Sequence, residues 1–201
     1  MDIKIQFFKG VEVLHCLDAI IQLRVTVFRE YPYLYGGDPE AEAGYVKTFA
    51  RSKHSLFILA KRHEQVIGCL TSIPAVDVLT ESWATALRKL PVDSMIYLGD
   101  MLLLKEYRNQ KIGSKMYDLF EKTVRKEKIF SKIAFQEIVR PKDDPKRPEI
   151  YRSLDLFWKK RSYVKHPKMT QQIPYLEIGD LTPVEHTFVF WIKELTCQPL
   201  P

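Results

Sequence analysis

The residues best suited to chemistry lie together in MLLLKEYRNQKIGSKMY, positions 101–117. An apolar run passes through the polar turn Arg108, Asn109, Gln110 and Lys111 into an amphipathic pattern that begins at Ile112. A helix that starts in this way leaves its first amides without partners and carries a partial positive charge, so its tip suits a phosphate. Gly113 allows the backbone to approach a bulky anion, and Arg108 and Lys111 can add charge-assisted bonds. The signatures G-x-x-x-x-G-K-[ST] and G-x-G-x-x-G do not occur, which argues against nucleotide hydrolysis and dinucleotide binding. Composition alone favours reading the turn as an ordinary polar connection ahead of a helix.

Asp100 is the next group of interest. It interrupts the apolar run MIYLGDMLLL (95–104), where a carboxylate without a partner would be costly. It reads as a base or amine anchor, or as a structural carboxylate. The neighbouring Gly99 suggests a bulge or a close backbone approach. Glu137 in IAFQEIV is a second acid, at a position that also suits a solvent-facing strand.

Tyr31, Tyr33, Tyr35 and Asp38 crowd one loop, and aromatic walls beside an acid suit a cationic amine. The same loop reads as ordinary aromatic packing. Arg140 and Arg152, flanking a proline-rich stretch, suit an acceptor carboxylate instead, and the two readings imply different substrates. The histidines, His15, His54, His63, His166 and His186, lack ligand spacing, so no metal is expected.

Several elements must position these groups. Ile3, Ile5 and Phe7 alternate as in a half-buried strand, and Leu17, Ile20, Ile21, Val25 and Phe28 share a helical face. Asp38 is a good N-cap for a helix to about Arg51. Residues 55–61 and 65–73 flank a polar turn as a hairpin, a weaker helix spans 80–90, and a buried strand spans 95–104. Residues 112–127 form the clearest helix, with Asp118–Lys122 and Glu121–Arg125 as i,i+4 pairs. A strand over 132–139 follows. Ser153 can cap a helix through Arg161 with Leu154, Phe157 and Trp158 inward, and 185–195 closes as a strand. The expected class is α/β, one domain over 1–201, with a mixed sheet.

At 46% hydrophobic and 28% charged residues, the composition is that of a folded globular chain. Cys16, Cys69 and Cys197 are too few and too widely spaced for a disulfide framework or zinc site, which fits a reducing compartment. Polar residues interrupt the start and no apolar run reaches bilayer length, so the expectation is a cytoplasmic protein without membrane contact. The net charge of +6 points to an anionic partner, either a polyphosphate cofactor or nucleic acid, or else merely favours solubility.

YRNQKIGSKMY resembles the acetyl-CoA loop of the GNAT acetyltransferase superfamily, R/Q-x-x-G-x-G/A, through Arg108-x-x-Lys111-x-Gly113. Lys111 stands where the pattern has its first glycine. FREYPYLYGGDPEAEAGYVKTFA, SLFILAK, LGDMLLL, VRPKDDPKRPEIYRSLDLFWKKRSYVKHP and VFWIKEL resemble an uncharacterised bacterial group within it, so the likeness covers most of the chain.

The resemblance implies a central, strongly twisted mixed sheet of about six to seven strands flanked by helices and split at an acetyl-CoA wedge. Free backbone at Met101, Leu102 and Leu103 would pair with the pantetheine arm. Arg108, Asn109, Gln110, Lys111, Ile112, Gly113 and Ser114 would hold the pyrophosphate. Trp158 occupies the tyrosine place of an F-Y-x-x-x-G-F pattern, beside the cofactor, so Tyr151, Tyr163 or water would protonate the leaving thiolate. Asp100 would be the base or anchor, with Tyr31, Tyr33, Tyr35, Asp38 and Arg140 around the acceptor.

The implied activity is acetyl-CoA-dependent N-acyl transfer by direct attack, to a primary amine of a small molecule or peptide. An alkylammonium ion titrates near about 10, so a base or water relay is needed near neutral pH. A homodimer is possible on this resemblance and nucleic acid is not the expected partner. A non-catalytic acyl-CoA-binding module is the alternative. A basic nucleic-acid-binding domain using Arg51, Lys53, Lys61, Arg62 and the cluster Lys159, Lys160 and Arg161 lacks a supporting aromatic-basic motif.

Overall fold

The run LFILAKR has no polar face, so a strand built from it must be covered on both sides. The computed structural model, which describes residues 2–195, shows how that is achieved; Cys197 lies outside the described residues. The elements are β1 (Ile3–Lys9), α1 (Leu17–Phe28), α2 (Pro39–Arg51), β2 (Leu56–Arg62), β3 (Gln65–Pro74) and β4 (Met95–Leu103). They continue with α3 (Ile112–Glu127), β5 (Lys132–Ile138), α4 (Asp155–Lys160), β6 (Val164–Tyr175) and β7 (Val184–Glu194).

The strands form one mixed sheet in the order β1-β2-β3-β4-β5-β7-β6. Neighbours are antiparallel except β4 and β5, which run parallel because α3 carries the chain back between them. Phe57 and Leu59 of β2 face α1 and α2, where Ile20, Leu23, Val46 and Phe49 meet them. Ile58 and Leu70 point the other way, toward Met116, Tyr117 and Phe120 of α3. Period-2 alternation is therefore invisible in β2 and β3, since both side-chain sets are buried.

Local chemistry sets several boundaries. Asp38 caps α2 by accepting from the amides of Glu40 and Ala41 at 3.0 and 3.2 Å, with Pro39 at the first helical position. The weak helix expected over 80–90 is a 3-10 helix, Ser82–Lys89. The helix expected through Arg161 is the six-residue α4, and Leu154, expected inward, is 53% exposed; Trp158 does turn in.

β6 is absent from the expectations. Its sequence, VKHPKMTQQIPY, contains two prolines and is mostly polar, which reads against a strand. It pairs on one side only, with β7, and its register slips between His166 and Thr170. An edge position tolerates both features.

Candidate active site

The sheet parts within β4. Met95, Ile96 and Tyr97 pair with Lys132, Ile133 and Ala134 of β5, and no further pairs follow. Beyond Tyr97, β4 stays with β3 as far as Leu103 while β5 stays with β7 as far as Ile138. At the apex the Tyr97 hydroxyl donates to Gln136 Oε1 at 3.4 Å.

A bulge adjoins the parting. Asp100 is opposite Thr71 and Leu98 opposite Ser72, so Gly99 is the extra residue of β4. Only a glycine fits there: a Cβ would stand 2.7 Å from Phe49 Cζ and would also meet the Tyr45 hydroxyl. The side chains of β4 nearby are packed, Met101 and Leu103 toward α3 and the buried Leu102 toward α1 and α2.

The tip of α3 lies one turn beyond β4. A 3-10 turn, Lys105–Tyr107, ends the strand, and Asn109 and Lys111 take left-handed conformations with φ of 62 and 61°. Lys111 is the N-cap residue but supplies no side-chain cap; the first helical bond runs from the Lys115 amide to its carbonyl at 3.0 Å. Among the described residues, no protein acceptor takes the amides of Asn109 through Ser114. Six successive free donors at the positive end of a sixteen-residue helix form an anion cradle. Gly113 stands close to β4, since a Cβ on it would be 3.1 Å from Met101 Cε. Ile112 anchors the tip in the core.

The two cations of this turn differ. The Arg108 fork grips both oxygens of Glu30 at 2.7 and 2.9 Å, and its Nε donates to the Leu103 carbonyl at 2.9 Å. Lys111 is exposed and has no ion-pair partner among the described residues. Gln110 donates back to the Glu106 carbonyl at 2.9 Å.

Asp100 is buried and ion-paired with Arg24 of α1, and it also accepts from Thr71 Oγ1 at 3.0 Å. Arg24 pairs at the same time with the buried Glu42 of α2, and its guanidinium lies 3.9 Å from the Tyr45 ring centre. Burial works against the charge on Arg24, but Asp100, Tyr45 and Glu42 outweigh it and keep the guanidinium protonated. Burial pushes Glu42 upward, against the opposing pull of Arg24. Neither Arg24 nor Glu42 was among the expected site residues. The signal was present for Arg24, which shares the Leu17, Ile20, Ile21 and Phe28 face of an otherwise apolar helix.

The aromatic loop comes close to the far end of β5. Tyr31 packs edge-to-face on Tyr151 at 4.7 Å, and its hydroxyl is buried without a partner among the described residues. Burial first, then Asp100 and Glu137, push the Tyr33 hydroxyl far up, so Tyr33 bears on both acids. Tyr35 is pushed up to about 12 by burial with Glu42 and Asp38, and it packs on Tyr175 at 5.7 Å. The Asp38 carboxylate is engaged in capping α2 rather than facing an acceptor.

Arg140, expected to meet an acceptor carboxylate, holds the loop instead. It donates to the carbonyls of Pro32 and Tyr33 at 2.7 and 3.0 Å and pairs with Glu177 at 3.0 Å. The buried Glu177 also holds Lys146 at 2.7 Å. Arg152 is exposed. Glu137 accepts from the Trp191 indole and from Lys165, both at 2.8 Å.

Trp158 and Tyr163 lie in an aromatic cluster under α3. Trp158 is 5% exposed and packs on Phe135, Tyr163 and Tyr117, so packing takes most of its surface. Tyr117 donates to the Tyr163 hydroxyl at 3.0 Å, and burial pushes Tyr163 well up. Tyr151 is pushed up by burial, then by Glu137 and Tyr31. A phenol moved up is a weaker proton donor to a thiolate.

A cavity of about 370 Å³ lies elsewhere, between the 140–146 loop and Glu177, and none of its lining belongs to β4 or the α3 tip. The parted strands and free amides are the better guide to chemistry, since both expose main-chain donors. No cluster of metal-ligating residues and no helix long and apolar enough to cross a membrane occurs among the described residues.

A family model described as the acetyltransferase (GNAT) family matches residues 18–148. No curated protein matches the chain. Among solved structures, a GNAT-family acetyltransferase from Staphylococcus aureus Mu50 is 18% identical with a TM-score of 0.59, covering 96% of this chain and 100% of its own. An aminoglycoside 6'-N-acetyltransferase complexed with coenzyme A is 13% identical with a TM-score of 0.62, covering 98% and 99%. A ribosomal-protein-alanine N-acetyltransferase from Brucella melitensis is 12% identical with a TM-score of 0.60, covering 94% and 99%. At these identities the likeness is one of fold.

Proposed function

This chain belongs to the GNAT acetyltransferase family, and on that premise we propose that it transfers an acetyl group from acetyl-CoA to a primary amine. The observation that carries the reading is the loss of the β4–β5 ladder after Tyr97, one turn from the uncapped tip of α3. Acetyl-CoA fits that arrangement. The amides of Asn109 through Ser114 would hold the pyrophosphate, with Lys111 adding a cation, and β4 from Gly99 to Leu103 would pair with the pantetheine arm. Bound there, it supplies an activated acetyl carbon on a good leaving group.

The protein's part is positioning and charge control. The bulge at Gly99 turns main-chain groups of β4 out of the ladder, and amides so freed can receive the charge that grows on the acetyl oxygen. Asp100 holds the incoming ammonium and takes its proton, directly or through water. The new N–C bond forms as the C–S bond breaks, and the thiolate leaves with its electron pair. Protonation of that thiolate falls to Tyr151 or solvent, because Tyr163 is enclosed by aromatic rings.

Melting temperature with acetyl-CoA tests the reading. At a ligand concentration of about 100 Kd, linkage gives ~2.7 kcal/mol, which for a chain of this size is a rise of about 5–10 °C. Thiol release across an amine panel then follows turnover. No thermal shift would sink the proposal. A shift without thiol release would favour a binding module, the reading to which the buried Trp158 lends support.

A further inference from the structure

Two carboxylates share one guanidinium beside the β4 bulge. Glu42 meets Arg24 Nε and Asp100 meets Arg24 Nη1, and all three residues are buried. Their formal charges leave one negative charge in excess. Both donors to Asp100, Arg24 and Thr71, fall on Oδ2, so Oδ1 has no donor among the described residues. A buried charge is tolerated when an opposite charge or hydrogen bonds complete it.

Arg140 is the nearby arginine that could have reversed this balance. Its Nε and Nη2 are held by Pro32, Tyr33 and Glu177 and its Nη1 lies 3.9 Å from Asp144, while Arg147 and Arg152 are exposed. A carboxylate on the carbon that bears the reacting nitrogen would face Asp100 with Arg24 already engaged twice. We infer that the acceptor of this site is an amine with no carboxylate beside its nitrogen, an arylalkylamine or similar cation rather than an α-amino acid. The inference rests on the acyl-transfer reading of the same site. Tyr31 and Tyr33 supply ring faces that suit such a cation, and the buried Tyr31 hydroxyl has a free polar end to offer it.

Matched pairs test it: tyramine against tyrosine, and histamine against histidine. Each is titrated by calorimetry into the full chain saturated with coenzyme A, and thiol release from acetyl-CoA is followed in parallel. The decarboxylated member of each pair is expected to bind at least tenfold more tightly. Glu42→Gln, which removes the excess charge, is expected to shrink that gap to about threefold or less. Asp100→Asn, read by binding alone, gives the same comparison should Glu42→Gln fail to fold. Equal or inverted preference overturns the inference, and so does a gap unchanged in the folded variant. Failure of the acyl-transfer reading is separately visible, because acetyl-CoA would then leave the melting temperature unmoved.

Discussion

Arg108 and Glu30 join the two halves of the candidate site. The guanidinium holds both carboxylate oxygens at 2.7 and 2.9 Å, tying the turn before α3 to the loop that carries Tyr31 and Tyr33. Both side chains are about one-third exposed, so the pair contributes less than ~1 kcal/mol to stability. Its larger effect is geometric.

Glu30→Gln should therefore lower the melting temperature by no more than about 2–4 °C. The KM for the amine should rise several-fold as the loop loosens, while the KM for acetyl-CoA stays level or falls because Arg108 is released toward the anion. Steady-state kinetics varying each substrate in turn separates these effects. An unchanged amine KM would show that the ion pair does not position the loop.

Lys111→Gly should act oppositely on stability and affinity. A lysine at φ 61° carries a left-handed penalty of roughly 1–2 kcal/mol, partly offset by the ~0.5–1 kcal/mol of chain entropy that glycine loses on folding. The variant should melt at the same temperature or slightly higher. Loss of the cation should weaken acetyl-CoA about fivefold, most visibly at low salt. Tighter binding in the variant would remove Lys111 from the phosphate site.

Gly99→Ala places a methyl group 2.7 Å from Phe49 Cζ. Overpacking of this kind costs about 1–3 kcal/mol, or roughly 3–10 °C in a chain of this size. Because the bulge also sets Asp100, kcat should fall by more than KM changes. A variant with wild-type kcat and melting temperature would show that the bulge adapts freely.

The loop anchor should make the protein acid-sensitive in two stages. Burial, then Arg140, hold His186 below its ordinary 6.5. As pH falls through 6.5 the unfolded chain gains a proton there before the folded chain does, so stability declines. Lys146 and Arg140 outweigh burial at Glu177 and hold it below 4.5. Its contribution is present above 4.5 and is lost as pH falls through its lower folded value. Melting temperatures from pH 7 down to about pH 2 should show both declines. His186→Gln should flatten the upper one and leave the lower; if it leaves both intact, His186 is not the group responsible.

The elements with local signals were legible. The α3 stripe of Ile112, Met116, Phe120 and Val124, and the Asp38-Pro39 start of α2, are written in adjacent residues, and both helices form where those signals place them. β6 was not legible, because an edge strand with two prolines and one paired side has no pattern to show. The polar turn before α3 was visible from its residue types, but the partner of Arg108 was not. Glu30 lies 78 positions away, and ion pairs at that distance leave no spacing to read. The same applies to Arg24 with Asp100 and to Arg140 with Glu177. Arg140 looked like a group waiting for an acceptor because its intramolecular partners are fixed by tertiary folding.

Among the described residues, three residue pairs, Met95 to Tyr97 against Lys132 to Ala134, make up the whole strand ladder between one leaf of the sheet and the other. Strands β1–β4 and β5–β7 are thus a book with a short spine, and whatever threads the open pages ties both leaves at once. Occupancy and stiffness should rise together, so amide exchange in the outer half of β4 reports how full the binder is.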